Sequence, residues 1–481
     1  MRDIAEIGLD AARSGGASYA DVRIVSDQQQ DVQTRNGALA SLRASESLGA
    51  GVRVLVDGAW GFAAGTDLTR DGIAATARRA VEIGRASAIL KIRPVELCPV
   101  EALEATWEAP VKEDPFAVSV EEKIATLLHI DAALRKVPDI KVAVASMTFG
   151  RQTRRFASTE GHWLVQTRTT SGAGYAATAV GAGDAQTRSF PNAFGGQHMA
   201  MGYELIRSLP LLEQAQRVAE EARELLAAAP CPSGTWDIIL DSSQLALQVH
   251  ESCGHPAELD RVLGSEANYA GKSFLTLDKL GRFVYGSEHV NITADSTTPA
   301  GLGTWGYDDE GVPASSVDLV RRGLFVGYLT SRETAATVGA TRSSGAMRAD
   351  GWNRIPLIRM NNVSLEPGEG SLEELIASTG RGVYMETNRS WSIDNLRYNF
   401  QFGCEAGWEI KDGKRGRMLK NPIYTGITPT FWGSCDAVCG AEAWRLWGLP
   451  NCGKGHPGQI MGTSHGAAPA RFRGVQLLGA P

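Results

Sequence analysis

A short segment near the middle of the chain divides its 481 residues into two parts with different patterns. Pro230, Pro232 and Gly234 lie close together there, and proline and glycine interrupt regular structure more strongly than other residues. Before this segment, helical and strand-like patterns alternate; after it, short strand-like runs between Gly, Asn and Asp turns dominate. The sequence therefore predicts an α+β protein, with a mixed N-terminal domain over 1–230 and a mostly antiparallel β domain over 231–481.

The N-terminal part contains one order of patterns twice. A helical pattern, several strand-like runs and a second helical pattern occupy residues 2–90, and the same order returns over 120–228. In the first round, two apolar runs flank Asp57-Gly58, a dipeptide typical of a tight β-hairpin turn. This order predicts an internal structural duplication within the N-terminal domain.

Composition and charge exclude several classes of protein. The chain has 48 Lys and Arg against 54 Asp and Glu, a net charge of −6, whereas nucleic-acid and anionic-membrane binders carry a basic excess. No apolar run approaches the roughly 18 residues of a membrane-spanning helix, and acidic residues interrupt the apolar ones at the N-terminus. Seven cysteines without a dense framework favour a reducing compartment. We expect a cytoplasmic protein that binds neither nucleic acid nor membrane.

One segment carries a pattern typical of metal chemistry. His250-Glu251-x-x-x-His255 ends a helical pattern, but residues five apart on an ideal helix are separated by roughly 140° about its axis. Two imidazoles so placed could not reach one ion. Gly254 loosens the backbone, and Pro256 disfavours the helical conformation at the residue before it. We therefore expect the helix to end or widen in its last turn and to bring His255 back towards His250.

A third ligand has to come from a distant part of the chain. A catalytic zinc ion usually takes three protein ligands and one water, and no other histidine lies near the pair. The Gly-rich turn Asn451–Gln459 contains Cys452, whose thiolate suits zinc, so Cys452 is the best candidate. Cys435 and Cys439 allow a second metal site, although buried small hydrophobic side chains are the favoured interpretation. His465 also lies in a Gly-rich turn, where either a solvated position or a role beside the site is open.

Two motifs in the C-terminal part are similar to those of a known family. The His-Glu-x-x-x-His helix and the Cys-Gly-Lys-Gly-x-Pro-Gly-Gln turn at 452–459 resemble the TldD branch of the TldD/PmbA (TldE) metallopeptidases. Residues 51–63, 308–311 and 359–361 are similar to that family too, so the resemblance covers nearly the whole chain. It implies a two-domain protein with the metal in the C-terminal domain. It also implies a dimer around an inner cavity, formed with a second copy or with a TldE/PmbA-like subunit that lacks the metal motif.

The resemblance assigns roles to four residues. His250, His255 and Cys452 would bind one zinc ion per catalytic subunit, and Glu251 would act as general base. The chain keeps all four, so it resembles the catalytic partner of such a dimer. Zinc polarises a carbonyl and activates a water, and a carboxylate carries the water's proton to the leaving amine. The resemblance therefore predicts a zinc metallopeptidase that acts on unfolded or small peptides.

Substrate recognition leaves little trace in a sequence. A peptide held as an added β-strand is bound through main-chain hydrogen bonds, which require no particular side chain. We predict polar contacts with substrate from Arg359, Asn361, Asn395 and His456. Two other functions remain open: a zinc enzyme that hydrolyses or condenses a small-molecule amide in a biosynthetic pathway, and a non-catalytic regulatory subunit with a structural metal. Glu251 argues against the latter, because a structural site needs no base.

Overall fold

The structure is a computed structural model, and it describes residues 1–181 and 183–479. The first round of the N-terminal pattern forms two helices and three strands: α1 (Arg2–Ser14), β1 (Tyr19–Arg35), β2 (Ala38–Val56), β3 (Ala59–Gly65) and α2 (Arg70–Ala88). Asp57 and Gly58, which join β2 to β3, have φ of 48° and 75°. Positive φ at both central residues is the requirement of a tight hairpin turn, so the predicted hairpin is confirmed.

The second round follows the same order with additions. Its elements are β4 (Glu104–Glu108), α3 (Val120–Leu134), β5 (Ile140–Ser158), β6 (Trp163–Gly181), β7 (Asp184–Phe190), β8 (Gln197–Met199), α4 (Glu204–Ser208) and α5 (Leu211–Ala227). Strands β1 and β5 pair antiparallel and join the two rounds into one eight-stranded sheet, ordered β3-β2-β1-β5-β6-β4 with β7 and β8 beside β6. Each round has its own apolar core beneath its helices. The order of elements therefore occurs twice, while common descent of the two rounds stays a prediction.

The C-terminal part is built mainly of antiparallel strands. Its elements are β9 (Ala229–Pro230), β10 (Gly234–Leu240), α6 (Ser242–Val249), α7 (Leu259–Val262), β11 (Ile292–Asp295), β12 (Ser316–Arg321), β13 (Leu324–Phe325), β14 (Met347–Arg348), β15 (Leu357–Ile358), β16 (Val363–Leu365), α8 (Leu372–Ala377), β17 (Arg381–Ile393), β18 (Asn399–Lys411), β19 (Lys414–Lys420), β20 (Ile423–Ile427), α9 (Thr428–Gly433), β21 (Cys435–Val438), β22 (Arg445–Lys454), β23 (Gln459–Ala467) and β24 (Ala470–Leu478). The main sheet has the order β17-β10-β24-β20-β18-β19-β9. The predicted α+β class, with a strand-rich C-terminal part, is confirmed.

The chain enters the second sheet close to residue 230. Strand β9, at Ala229–Pro230, already pairs in parallel with β19 of that sheet. The division of the chain at residue 230 stays a prediction. Among the helices of the described residues, none has both the length and the apolar character needed to cross a membrane.

Helix α6 lies inside the C-terminal core. Every residue from Ser242 to Val249 is buried, against β17 on one side and β23 on the other. Its two glutamines do not oppose this burial, because the Tyr424 hydroxyl lies 2.9 Å from the amide nitrogen of Gln244 and 2.9 Å from the amide oxygen of Gln248. The buried helix delivers the residues that follow it to a cavity in the core.

Candidate metal centre

The helix widens at the point where the histidines begin. Helix α6 continues as one π-helical turn over His250–Gly254 and then as a 3₁₀ turn over His255–Ala257. The His255 N–H donates to the His250 carbonyl, so residues five apart lie one turn apart on the same face. The two ring centroids are 4.8 Å apart, and the predicted widening is confirmed. The departure from helical conformation expected at His255 is wrong, because its φ of −60° and ψ of −44° are helical.

Cys452 reaches the two histidines from strand β22, which pairs with β23 in a separate two-stranded hairpin. Its Sγ lies 3.7 Å from His255 Nε2, although the two residues are 197 positions apart in the chain. One donor atom each from His250, His255 and Cys452 lie within 4.8 Å of one another, and all three residues are buried. Within residues 1–181 and 183–479, no second group of three such donors converges.

The hydrogen bonds behind the rings determine which nitrogen faces the cluster. His465 Nδ1 lies 2.8 Å from the Val363 carbonyl and must donate to it, so His465 Nε2 is an acceptor. That nitrogen lies 2.7 Å from His250 Nδ1, which therefore donates to it. His255 Nδ1 donates in the same way to Glu258 Oε2 at 3.0 Å. Both metal-site rings thus direct Nε2 at Cys452, with the outer hydrogen bonds typical of histidine ligands.

Buried charges hold the hairpin against the widened helix. Glu258 is fully buried, and the Lys454 ammonium lies 3.3 Å from its carboxylate and 2.7 Å from that of Asp260. Arg359 donates to the carbonyls of Cys452 and Gln459, one on each strand of the hairpin. Since Lys454 is two residues from Cys452, these contacts position the sulfur opposite the imidazoles.

The surroundings favour the thiolate form of Cys452. Burial alone raises the pKa of its thiol, but His250, His255 and Arg359 together hold that pKa well below its ordinary value. Burial lowers the pKa of His250, but Cys452 and Glu251 together outweigh burial, and the net pKa is raised. Burial lowers the pKa of His255 well below its ordinary value. A cation entering the cluster would compete with protons for these donors, as metal binding to histidine and cysteine generally does.

Glu251 faces the same space as the three donors. A cavity of about 380 Å³ is lined by all four residues together with Phe194, Trp391 and Arg397. The Arg397 guanidinium forms an ion pair with the Glu251 carboxylate. Arg397 has φ of 65° and lies in the turn before β18, where the Asp394 carboxylate accepts three backbone N–H groups. Arg397, on a turn stabilised by these hydrogen bonds, therefore holds the Glu251 carboxylate beside the three donors.

The four predicted substrate residues do not lie together. Arg359 and Asn361 are completely buried and do not line the cavity; substrate contact by these two residues stays a prediction. Asn395 is exposed, two residues before Arg397. His456 is also exposed, and its ring centroid lies 5.9 Å from that of Tyr269. Substrate contact by Asn395 and His456 stays a prediction.

Three residues of the site were not assigned a role by the sequence. Glu258 had a usable signal, because it follows His255 at the three-residue spacing that lets side chains meet on a helical turn. His465 had only its place in a Gly-rich turn. Arg397 had none, since a charged residue in a polar turn is typical of any surface loop.

Comparison with known proteins decides the family. Models of the PmbA/TldA metallopeptidase family match in three consecutive pieces: domain 1 over residues 20–84, the central domain over 113–228 and the C-terminal domain over 233–476. The chain belongs to the PmbA/TldD metallopeptidase family. The resemblance inferred from the two motifs is confirmed.

One curated relative and two solved structures match most of the chain, and a further relative matches less than half of it. A metalloprotease of Methanocaldococcus jannaschii is 28% identical over 423 residues, which are 87% of this chain and 89% of that protein. A zinc metalloprotease TldD homolog of Saccharolobus solfataricus is 28% identical over 200 residues, 41% of this chain and 42% of that protein. The crystal structure of TldE from Thermococcus kodakarensis has a TM-score of 0.74 at 15% identity, over 98% of this chain and 99% of that one. A putative modulator of DNA gyrase from Thermotoga maritima has a TM-score of 0.77 at 18% identity, over 99% and 100%. The two structures share the fold.

Proposed function

We propose that the protein is a zinc-dependent metallopeptidase that hydrolyses peptide bonds of unfolded or small peptides. The observation that carries the proposal is the joint placement of two Nε2 atoms, one Sγ and the Glu251 carboxylate at one cavity. Two imidazoles and one thiolate fit zinc, since catalytic zinc sites take three such ligands and leave one position open. His250, His255 and Cys452 would hold one ion per subunit.

The residues around the donors suit amide hydrolysis. Zinc, when bound, would polarise the scissile carbonyl and acidify a water molecule. Glu251 would accept the proton of the attacking water and deliver it to the leaving amine, and the ion pair with Arg397 would hold its carboxylate in place. Phe194 and Trp391 meet edge to face at 5.4 Å between ring centroids and line the same cavity. They would offer an apolar surface to a substrate side chain.

The identity of the partner subunit is part of the proposal. TldE from Thermococcus kodakarensis has the same fold, which supports an assembly of this chain with a TldE/PmbA-like subunit or with a second copy of itself. In a mixed dimer, this chain would be the metal-bearing subunit, because it contains the three donors and the carboxylate. We further propose that the assembly acts in the cytoplasm.

Replacement of Glu251 by glutamine tests the proposed function. The variant keeps the shape of the side chain but cannot take up a proton, so we expect full zinc content and a cleavage rate lower by about 10²- to 10⁴-fold. Zinc is measured by mass spectrometry of the purified protein, and cleavage by digestion of a random peptide library. Glu288→Gln, at a glutamate that is 71% exposed in the same part of the chain, is the matched control. Unchanged cleavage by the zinc-loaded Glu251→Gln protein would refute the proposal.

A second candidate function is supported by the size of the cavity. About 380 Å³ is within the range of small-molecule sites, roughly 300–1,000 Å³. The same residues could therefore act on the amide bond of a small molecule, in either direction. Assays of the wild type on N-acyl amino acids, run beside the peptide library, separate the two substrates. Activity on the small amides without cleavage of peptides would favour the second candidate.

A further inference from the structure

A second cavity lies between the two parts of the chain. Its inner chamber has a volume of about 40 Å³ and joins an outer space of about 230 Å³ through shared lining residues. Strands β5 and β6 form one wall, and Met461 of β23 belongs to the other. Met461 is the cross-strand neighbour of Cys452, so the β22–β23 hairpin borders both this space and the metal centre. We name the inner space the arginine chamber, after its lining residues Arg154, Arg168 and Arg348.

The arginine chamber carries positive charge without matching carboxylates. The lining residues of the inner space include the three arginines and no acidic residue. Arg154 is 2.6 Å from Asp309, a carboxylate that also serves Arg23 at 3.5 Å. Because a buried charge without a counter-charge is costly, the excess of guanidinium groups favours a negative ligand.

The other two arginines have only backbone acceptors in the described part of the chain. Arg348 donates to the carbonyls of Met360 and Gly462, and Arg168 donates to the carbonyl of Leu302. Burial, followed by repulsion from Arg154, lowers the pKa of Arg168 to about 10. Asp27 and Asp309 raise the pKa of Arg168 but do not restore its ordinary value, so the negative charge around Arg168 is too small to offset burial.

Two buried donors of the chamber also lack acceptors. Arg348 is 3% exposed and Trp305 is 7% exposed, and among residues 1–181 and 183–479 neither Arg348 Nε nor Trp305 Nε1 has a hydrogen-bond partner. The Arg348 guanidinium carbon lies 4.5 Å from the centre of the Trp305 ring. Both groups can donate and neither can accept. What the chamber lacks is therefore an acceptor with negative charge.

We propose that the arginine chamber binds the oxyanion group, carboxylate or phosphate, of a small ligand. Guanidinium groups pair with two oxygens of such an anion at once, and Arg168 and Arg348 would make these contacts. The body of the ligand would occupy the outer space, where Asp27 and Asp350 contribute to the lining. Acidic groups outside and arginines inside orient the ligand with its anionic end inward. This binding requires neither zinc nor hydrolysis.

Calorimetric titration of the full-length protein tests the site. Sodium phosphate, N-acetylalanine and N-acetylalaninamide are titrated separately at one ionic strength, into wild type and Glu251→Gln, so that peptidase activity does not affect the result. We expect binding of at least one oxyanion and no binding of the amide. Arg168→Gln should weaken oxyanion binding by about 10- to 100-fold, the effect of losing a hydrogen bond to a charged group.

Arg155→Gln is the matched control for Arg168→Gln. It removes an arginine beside Arg154 on the same strand, where alternate residues point to opposite faces of the sheet, and it should bind as the wild type does. Binding of phosphate alone supports the proposal with a free phosphate as ligand; binding of N-acetylalanine supports it with a peptide carboxylate. Binding of neither oxyanion, equal binding of the amide, or unchanged binding by a folded Arg168→Gln protein would overturn it.

Discussion

The β22–β23 hairpin borders two cavities with opposite hydrogen-bonding chemistry. At the metal centre, Glu258 and His465 accept the outer N–H groups of the two imidazoles, which leaves lone pairs facing inward. At the arginine chamber, backbone carbonyls accept part of the guanidinium N–H groups of Arg168 and Arg348, and the buried Nε of Arg348 has no acceptor in the described chain. The preference of each cavity for a cation or an anion is therefore decided by the partners behind the side chains that line it.

Cys452→Ser should give the largest effect and divide the two cavities most sharply. A hydroxyl is a much weaker zinc ligand than a thiolate. Protein zinc sites bind the ion with about 10–16 kcal/mol spread over a few ligands, so we expect the zinc affinity to fall by at least about 10³-fold. Competition with a chromogenic chelator measures the loss. Oxyanion binding at the arginine chamber should not change, and Cys439→Ser, at another buried thiol, should keep its zinc. Loss of both affinities together would show that the two cavities are not independent.

Acidification should lower the free energy of unfolding through His198, which lines the outer space beside the arginine chamber. Burial lowers the pKa of His198 to about 4, with the Phe194 carbonyl offsetting part of the effect. The pKa of histidine in the unfolded chain is near 6.5, so between pH 6.5 and about 4 the unfolded chain binds a proton that the folded protein does not. The free energy of unfolding therefore falls as the pH drops through this range, by about 3 kcal/mol for this group. Urea unfolding at pH 7, 5 and 4 should show a smaller loss in His198→Gln than in the wild type. His129→Gln, at an exposed histidine, should lose as much as the wild type.

Glu258→Gln should give a smaller change, confined to the metal side. The amide accepts from His255 more weakly than the carboxylate, and removal of such outer partners costs about 10- to 100-fold in metal affinity. Lys454 keeps Asp260 at 2.7 Å, so the hairpin should retain its position and the variant should fold. Chelator competition again measures the affinity, with Glu288→Gln as control. If zinc affinity stayed at the wild-type value, the outer hydrogen bond could not be what prepares His255 as a ligand.

The sequence predicted the metal centre where local rules were sufficient. Gly254 and the five-residue spacing indicated a widened turn, and a Gly-rich turn with a cysteine indicated the third donor. The predicted cause of this widening was partly wrong. His255 keeps a helical conformation, because the i→i+5 hydrogen bond alone brings its ring to the same face as His250. The hydrogen bond from His250 to His465 depends on the packing of β23 against the helix. No local sequence pattern predicts this tertiary contact.

The sequence could not show which polar side chains are open to a ligand. Arg359 and Asn361 are polar and lie near a family motif, yet both face the interior. The arginines of the chamber come from β5, β6 and β14, three strands that are far apart in the sequence, so no local pattern groups them. Fold class and the repeated order of helices and strands were predictable, because hydrophobic periodicity and turn residues determine them within short segments.

Ser252, in the middle of the π turn, is hydrogen-bonded to two aromatic side chains of the core. Ser252 accepts from the Tyr285 hydroxyl through its carbonyl at 2.9 Å, and from the Trp432 indole through its own hydroxyl at 2.9 Å. Deleting one residue between Glu251 and His255 would produce the four-residue spacing of the His-Glu-x-x-His motif, and it would displace Ser252 from both aromatic side chains. We therefore expect a single deletion in this turn to lower the free energy of unfolding, because both buried hydrogen bonds of Ser252 would be lost.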